Sequence, residues 1–336
     1  MTRHPSTLLP TLLPAVKRSL LALCLLSLPL TRQASAQAAH VLIYPIEAVT
    51  LTDQQFLTGD KNGTPVTIAG ELRLPRARGR VPAVVIIHGS GGIGGNENLW
   101  ADEMNKIGVA SFLLDMFTGR GIAETVTDQE RLGHLAMIAD SYRALDLLSK
   151  HPAIDPSRIA LMGFSKGGAV ALSASLTRFQ RMHAPPDVEF AAYIPFYAPC
   201  FISYIDDTQV SDRPIRLFHG TADDWVPVAP CREYVERLRA LGKDIQLTEY
   251  PNARHAFDDP TLPPVYEVPS AQNPTRCRIA ERPEGRIVNA ETGEPWNFND
   301  PCMTRGASIG YNAQAHAAAT QAVKEFLTSL WNLGAR

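Results

Sequence analysis

Arg158-Ile-Ala-Leu-Met-Gly-Phe-Ser-Lys-Gly-Gly-Ala169 is the stretch of sequence that decides the fold. Its apolar run, Ile159 to Met162, predicts a buried strand. Gly163 ends that run, and the small residues that follow favour a helix. Between strand and helix, Gly-Phe-Ser-Lys-Gly matches the G-x-S-x-G turn that presents a serine nucleophile at the edge of a sheet.

The two outer glycines of this turn have a steric reason. A serine on a sharp strand-to-helix turn has strained backbone geometry, and the flanking positions come too close to it for a Cβ. Gly163 and Gly167 relieve that crowding and leave the Oγ of Ser165 exposed. Such five-residue patterns also occur in ordinary strand-turn-helix connections, so the motif needs partners elsewhere in the chain.

Residues 1–36 are interpreted as a secretory signal peptide. Basic residues precede an apolar run over 20–30 that is too short to span a bilayer, and Ala34-Ser35-Ala36 offers a small-residue cleavage site. The protein is therefore expected to be exported, periplasmic or secreted, without stable membrane insertion after cleavage.

The mature chain, 37–336, has a length compatible with one large α/β domain. Lysine and arginine number 32 against 34 acidic residues, for a formal net charge of −2, so no basic surface for nucleic acid is indicated. Four cysteines remain after the signal peptide, an even number that suits an oxidising compartment. Nothing in the sequence indicates the oligomeric state.

Strands that alternate with helices predict βαβ units and a mostly parallel sheet, which is an α/β fold. Two segments of alternating polarity, 41–52 and 65–74, predict antiparallel strands that precede the parallel part. Further strands are predicted at 83–87, 109–114, 158–162, 190–197, 215–218 and 245–250, and helices at 98–107, 132–148, 169–179, 231–241 and 314–331.

The segment 258–311 interrupts this alternation, because it is rich in proline, asparagine and charge and too long for an ordinary loop. Cys277 and Cys302 bracket a predicted hairpin within it, and we expect a disulfide between them to hold an insertion with little core. Cys200 and Cys231 follow neighbouring parallel strands at the same sheet edge, which makes them the second expected pair. A zinc site is disfavoured, since no C-x-x-C pair and no histidine at ligand spacing is present.

Acyl transfer by a serine needs a base, an acid that orients the base, and donors for the developing oxyanion. Ser165 is followed by Asp223, after the next-but-one strand, and by His255, after the last strand, which is the Ser-Asp-His order of α/β hydrolases. Each lies beyond the C-terminal end of a strand, where the active sites of open α/β sheets gather. Asp224 is the alternative acid, but Asp223 stands four residues before Pro227, the commoner placement.

The oxyanion hole is predicted to combine the backbone N–H of Lys166 with one from the loop after the 83–87 strand. Ser90 is the first choice in that loop and Gly91 the second. Among the remaining histidines, those before a glycine at a strand end are expected to make structural hydrogen bonds, and those on helices to be exposed or capping. They are His88 and His219 in the first group, and His134, His151, His183 and His316 in the second.

Four motifs together resemble the dienelactone hydrolase family of α/β hydrolases over roughly 81–257 and the final helix. The resemblance implies a central parallel sheet flanked by helices, no cofactor, and Ser165, Asp223 and His255 as nucleophile, acid and base. The family's namesakes carry a cysteine nucleophile, so the serine here favours a general ester, lactone or related small-molecule acyl substrate. The motifs are His88-Gly89-Ser90-Gly91, Gly163-Phe164-Ser165-Lys166-Gly167-Gly168, the segment 219–227 and His255-Ala256-Phe257.

Three other interpretations remain open. Gly89 to Gly94 matches the dinucleotide-binding pattern G-x-G-x-x-G with Asp115 about twenty residues on. Two strands precede this motif, however, whereas a dinucleotide-binding motif normally opens its domain. A dinucleotide site would also leave the Ser-Asp-His series unexplained. A secreted peptidase of the same fold would lack its usual propeller or large lid domain, and a non-catalytic binding protein would leave the three residue types without a role.

Phe117, Phe201, Trp225 and the insertion 258–311 are expected to shape the substrate pocket, with the insertion as a hypothetical lid.

Overall fold

The computed structural model describes residue 38 and residues 40–334, and the expected signal peptide lies outside the described residues. The strands are, in chain order, β1 (His40–Thr50), β2 (Thr64–Leu74), β3 (Val81–Ile87), β4 (Ala110–Asp115), β5 (Ile154–Phe164), β6 (Ala192–Phe196), β7 (Ile202–Ser203), β8 (Ile215–Gly220), β9 (Ile245–Tyr250), β10 (Tyr266–Asn273), β11 (Ile279–Arg282), β12 (Arg286–Asn289) and β13 (Thr304–Ile309). The helices are α1 (Asp53–Thr58), α2 (Gly95–Lys106), α3 (His134–Ser149), α4 (Lys166–Ser173), α5 (Thr177–His183), α6 (Ala229–Ala240) and α7 (Ala313–Trp331).

An eight-stranded sheet of order β1-β2-β4-β3-β5-β6-β8-β9 forms the centre of the fold. β1 and β2 pair antiparallel, as the alternating polarity of their sequences predicts, and β2 joins β4 antiparallel. Every pairing from β4 through β3 to β9 is parallel. The predicted mostly parallel α/β sheet is therefore confirmed.

The central strands are buried on both faces, which explains their continuous apolar runs. In β3, Val85 and Ile87 pack into one core together with α1, α3, α4 and α6, whereas Val84 and Ile86 pack into the opposite core with α2 and α7. All four side chains are fully buried. A strand buried on both faces has no exposed side, so its sequence shows a continuous apolar run instead of the alternation seen in β1 and β2.

The helix predicted over 169–179 is two helices, α4 and α5, with a break at 174–176. A segment that precedes β8 runs alongside this break and takes its backbone hydrogen bonds. Ser211 donates its N–H to the carbonyl of Ser175 (2.8 Å), and Thr177 donates to the carbonyl of Gln209 (2.9 Å). This long-range pairing competes with the helical ladder at the break.

The insertion forms two small sheets, one of β10 and β13 and one of β12, β11 and β7. Cys277 and Cys302 are bonded within it, with Cα atoms 5.1 Å apart, and Cys200 is bonded to Cys231 with Cα atoms 5.0 Å apart. Both expected pairings are confirmed. The predicted hairpin is present as a short antiparallel bridge between Val288 and Pro295, where Asn289 donates its N–H to the carbonyl of Glu294 (2.9 Å) and Trp296 donates to that of Ile287 (3.0 Å). β12 also pairs with β11.

None of the helices within residues 40–334 combines the length and apolar character needed to cross a membrane.

Candidate active site

Ser165 occupies the turn between β5 and α4 with φ 56° and ψ −114°. A positive φ is costly for a residue with a side chain, and the backbone N–H of Ser165 is held by the carbonyl of Phe196 (3.1 Å). A Cβ on Gly163 would overlap the carbonyl oxygen of Gly167, and a Cβ on Gly167 would overlap that of Ile87. The two glycines therefore permit the close approach that holds the serine at the sheet edge.

His255 lies on the loop after β9, between Ser165 and Asp223. Its Nε2 is 2.8 Å from Ser165 Oγ and its Nδ1 is 2.8 Å from Asp223 Oδ2. Because a carboxylate only accepts, Nδ1 carries the proton and Nε2 is left to accept from the hydroxyl. Gly310 of the insertion donates its N–H to the carbonyl of His255 (3.0 Å), and the ring of Tyr197 lies 4.7 Å from the imidazole.

Asp223 is buried and held by the backbone of its own loop. Its Oδ1 accepts from the N–H groups of Trp225 (3.0 Å) and Val226 (2.8 Å). Burial alone would raise its pKa, but the charge and hydrogen bond of His255 and the hydrogen bond of His219 outweigh this effect. The pKa of Asp223 is thereby lowered to about 2, so the group is a carboxylate at neutral pH.

Asp224, the alternative acid, faces the insertion instead of the histidine. Its Oδ1 accepts the N–H of Ser308 (2.8 Å) and its Oδ2 accepts the Ser308 hydroxyl (2.6 Å). The structure brings Asp223 to His255 and commits Asp224 to the insertion.

Ser90 and Lys166, whose backbone N–H groups are the candidate oxyanion donors, line the same cavity as Ser165. Neither N–H has an acceptor among the hydrogen bonds of residues 40–334. Gly89 lies between β3 and the turn, where a Cβ would be 3.2 Å from the carbonyl oxygen of Phe164. This close approach brings the loop after β3 alongside the serine. Gly91, the second choice, is exposed.

The loop between β4 and α3 ties these two donors together. The Lys166 ammonium donates to Thr125 Oγ1 (2.9 Å) and to the carbonyls of Gln129 (3.1 Å) and Leu132 (2.8 Å). The side-chain amide of Gln129 bonds to Ser90 Oγ (2.9 Å), and the N–H of Thr125 donates to the carbonyl of Ser90 (2.8 Å). One loop thus fixes both candidate donor residues.

The ammonium of Lys166 is electrostatically perturbed by this position. Burial lowers the pKa of Lys166 to about 7, although the nearby carboxylates of Asp53, Asp128 and Glu124 raise it in part. Nothing in the sequence pattern marks this lysine side chain as functional, since its backbone alone belongs to the serine turn.

A cavity of about 120 Å³ lies beside Ser165. Phe201 and Trp225 line it, as expected, whereas Phe117 does not, because it packs 4.3 Å from the ring of His88. The insertion contributes much of the apolar wall, through Ile279, Ile287, Trp296 and Phe298. The insertion is therefore part of the pocket beside the serine.

His134 also lines this cavity, contrary to the expectation of an exposed or capping histidine. Its Nε2 bonds to the hydroxyl of Tyr204. Burial, with a smaller contribution from the Lys166 charge, lowers the pKa of His134 to about 4, so the ring is neutral at physiological pH.

His88 and His219 make the structural hydrogen bonds expected of them, to the carbonyls of Gly89 (2.8 Å) and Val226 (2.7 Å). Asp115, which the dinucleotide interpretation requires, accepts the N–H groups of Phe117 and Thr118 in its own loop. No cluster of three or more metal-ligating side chains occurs in the part of the chain that the structure describes.

The Dienelactone hydrolase family matches residues 68–330, most of the chain. The chain belongs to the dienelactone hydrolase family. It is accordingly a hydrolase that acts on esters or lactones.

The chain is also similar to two curated proteins with different names. The chain is 27% identical over 204 residues to a "Probable 2-oxo-3-(5-oxofuran-2-ylidene)propanoate lactonase" of Bradyrhizobium sp, covering 56% of this chain and 81% of that protein. It is 28% identical over 179 residues to acyl-protein thioesterase 1 of Emericella nidulans, covering 51% of this chain and 64% of that protein.

Solved structures agree with the fold of this family member. A dienelactone hydrolase-like promiscuous phosphotriesterase from metagenomic libraries superposes with a TM-score of 0.54 at 19% identity, covering 86% of this chain and 98% of that chain. This likeness concerns the fold alone.

Proposed function

We propose that this dienelactone hydrolase family member is an exported serine hydrolase that cleaves an ester, lactone or related acyl substrate through an acyl-enzyme. The observation that carries the proposal is the continuous hydrogen-bonded series from Ser165 Oγ through His255 to Asp223, with 2.8 Å at each step. Its members are the nucleophile, the base and the orienting acid.

The geometry supports the following mechanism. Ser165 Oγ attacks the acyl carbon while His255 Nε2 takes the hydroxyl proton, and Asp223 stabilises the imidazolium that results. The N–H groups of Lys166 and Ser90 bind the oxyanion of the tetrahedral intermediate. As the carbon–oxygen bond to the leaving group breaks, Nε2 gives its proton to the departing oxygen. Water then attacks the acyl-enzyme, with its proton passing to Nε2 and on to the serine.

Export is supported by the two disulfides, which suit an oxidising compartment. We infer that residues 1–36 are removed as a signal peptide and that 37–336 forms one domain carrying the 258–311 insertion. N-terminal sequencing of protein recovered from the periplasm or the medium should begin at residue 37. Recovery of full-length protein only from the cytoplasm would contradict export.

The test of the mechanism is Ser165→Ala, assayed with 4-nitrophenyl esters and with a fluorophosphonate probe. Turnover should fall on the order of a million-fold, and covalent labelling should disappear. Ser173→Ala is the matched control, because Ser173 lies in α4 and makes no side-chain hydrogen bond among the described residues. Retention of a tenth of wild-type turnover by the Ser165 variant would exclude it as nucleophile. Absence of labelling and turnover in folded wild-type protein would favour a binding function.

A further inference from the structure

We propose that Asp53 selects the substrate of this site by binding a neutral hydrogen-bond donor, a hydroxyl group, on the part of the substrate that fills the pocket. The same carboxylate disfavours substrates that carry a carboxylate at that position. This inference rests on the proposed function, because the pocket is the one beside Ser165.

Asp53 stands where two cavities meet. It lines the cavity of about 120 Å³ beside Ser165 and also an adjoining groove of about 570 Å³. Trp296 and Phe298 of the insertion and Gly133 line both spaces. A substrate group that extends from the serine toward the groove therefore passes the carboxylate.

The carboxylate of Asp53 has no hydrogen-bond donor among residues 40–334. The other acidic side chains at the site differ in this respect, since Asp223, Asp224 and Asp258 each accept at least two hydrogen bonds. The basic group whose charge acts on Asp53, Lys166, directs its ammonium to Thr125 Oγ1 and two carbonyls instead. A half-buried carboxylate without a protein donor is a strong acceptor for a ligand hydroxyl.

Burial raises the pKa of Asp53, but two features of its surroundings favour the carboxylate. The first is the charge of Lys166, which lowers the pKa in part. The second is the N-terminal end of α3, where Oδ1 lies 2.8 Å from the position that a Cβ on Gly133 would occupy. A helix N-terminus carries partial positive charge that stabilises a nearby anion. Gly133 has no Cβ, and this lets the carboxylate approach.

The surroundings define the class of substrate. Phe201, Trp225 and Trp296 give the pocket apolar walls, so the segment between the ester and the hydroxyl is hydrocarbon. The cavity volume of about 120 Å³ suits a slim chain of a few carbons. The Lys166 ammonium near Asp53 disfavours a cationic donor, which leaves a hydroxyalkyl ester as the best match.

The experiment compares three 4-nitrophenyl esters that differ only at the chain end: hexanoate, 6-hydroxyhexanoate and the half-ester of hexanedioate. A parallel series places the same end groups on the alcohol side of acetate esters. Wild-type kcat/KM should be highest for the hydroxyl compound and lowest for the carboxylate in one of the two series. Asp53→Asn should reduce the ratio of kcat/KM for the hydroxyl ester to kcat/KM for the carboxylate ester roughly tenfold.

Asp128→Asn is the control, because Asp128 also lies near Lys166 but is exposed and lies outside the pocket. Asp128→Asn changes the net charge as much as Asp53→Asn does, and it should leave the kcat/KM ratios among the three esters unaltered. Unchanged ratios in folded Asp53→Asn, in both series, would overturn the inference about Asp53. Failure of the wild-type protein to hydrolyse any of these esters would instead overturn the proposed function.

Discussion

The Lys166 ammonium donates to the backbone carbonyl of Gln129 at 3.1 Å, and the Gln129 side chain in turn bonds to Ser90 Oγ at 2.9 Å. The two residues whose backbone N–H groups are the candidate oxyanion donors are therefore held by a single intermediary. An oxyanion hole works through preorganised donors, so a contact that fixes both donors affects the chemical step more than substrate binding.

Lys166→Met tests this relationship, because it keeps the backbone N–H and the apolar stem and removes the ammonium. We expect kcat to fall about tenfold to a hundredfold with little change in KM, since the loss of one oxyanion donor costs on the order of a hundredfold or more. Steady-state kinetics with a short-chain ester is the measurement. Lys150→Met, which removes an exposed ammonium paired with Asp146, is the matched control. A lowered Tm with kcat unchanged would assign Lys166 a purely structural role.

The two adjacent aspartates give the sharpest comparison of neighbouring positions. Asp223→Asn should lower kcat about ten-thousand-fold, as loss of the orienting carboxylate leaves the histidine in the wrong tautomer. Asp224→Asn should lower kcat less than tenfold, because this side chain binds Ser308 and not His255. Steady-state kinetics of both purified variants, with circular dichroism to confirm folding, show which of the two aspartates orients His255. Equal losses would mean that Asp224 also serves the histidine.

The candidate catalytic residues could be predicted from the sequence because each is marked by local chain pattern. Ser165, Asp223 and His255 each follow a strand that the sequence predicts, and parallel strands bring their ends to one edge. Asp53 and Gln129 carry no such mark. They reach the pocket from α1 and from the loop before α3, and only packing of the whole chain places them there.

The family could likewise be predicted from local sequence patterns, but the pocket could not. The motifs between 88 and 257 are local and identify the family, whereas the pocket walls come largely from the insertion, whose folding depends on contacts with β7 and the histidine loop. Phe117 illustrates the error that results. It follows a strand end, as an active-site residue would, but the side chain packs against His88.

Glu97 provides a prediction about stability and pH. Burial raises the pKa of Glu97 to about 7, and hydrogen bonds from the backbone oppose it in part. Between pH 4.5 and 7 the folded state then binds more protons than the unfolded state, so its stability falls as pH rises through this range. A glutamine does not titrate, so the Glu97→Gln variant does not show this fall in stability as pH rises. The variant should gain up to about 3 kcal/mol over wild type between pH 4.5 and pH 7, measured by urea unfolding at each pH.

Glu103 in the same helix is the control with the opposite sign. Burial raises its pKa, but hydrogen bonds from Lys106 and Lys324 outweigh this and lower it. Its contribution is therefore present above the unfolded pKa and is lost as pH falls, so Glu103→Gln should be less stable than wild type at pH 7. If the stability difference from wild type changed with pH in the same direction for both variants, the pKa of Glu97 would not be raised in the folded state.

The insertion's role in the pocket can be tested at Trp296, which lines both the cavity beside Ser165 and the adjoining groove. Trp296→Ala removes a large apolar wall, so kcat/KM for octanoate relative to acetate 4-nitrophenyl esters should change by about fivefold or more, while acetate turnover stays within about twofold. Trp331→Ala, a buried residue at the C-terminal end of α7, is the control: it should lower Tm without changing this ratio. An unchanged chain-length preference in folded Trp296→Ala would mean that the insertion does not contact the acyl chain.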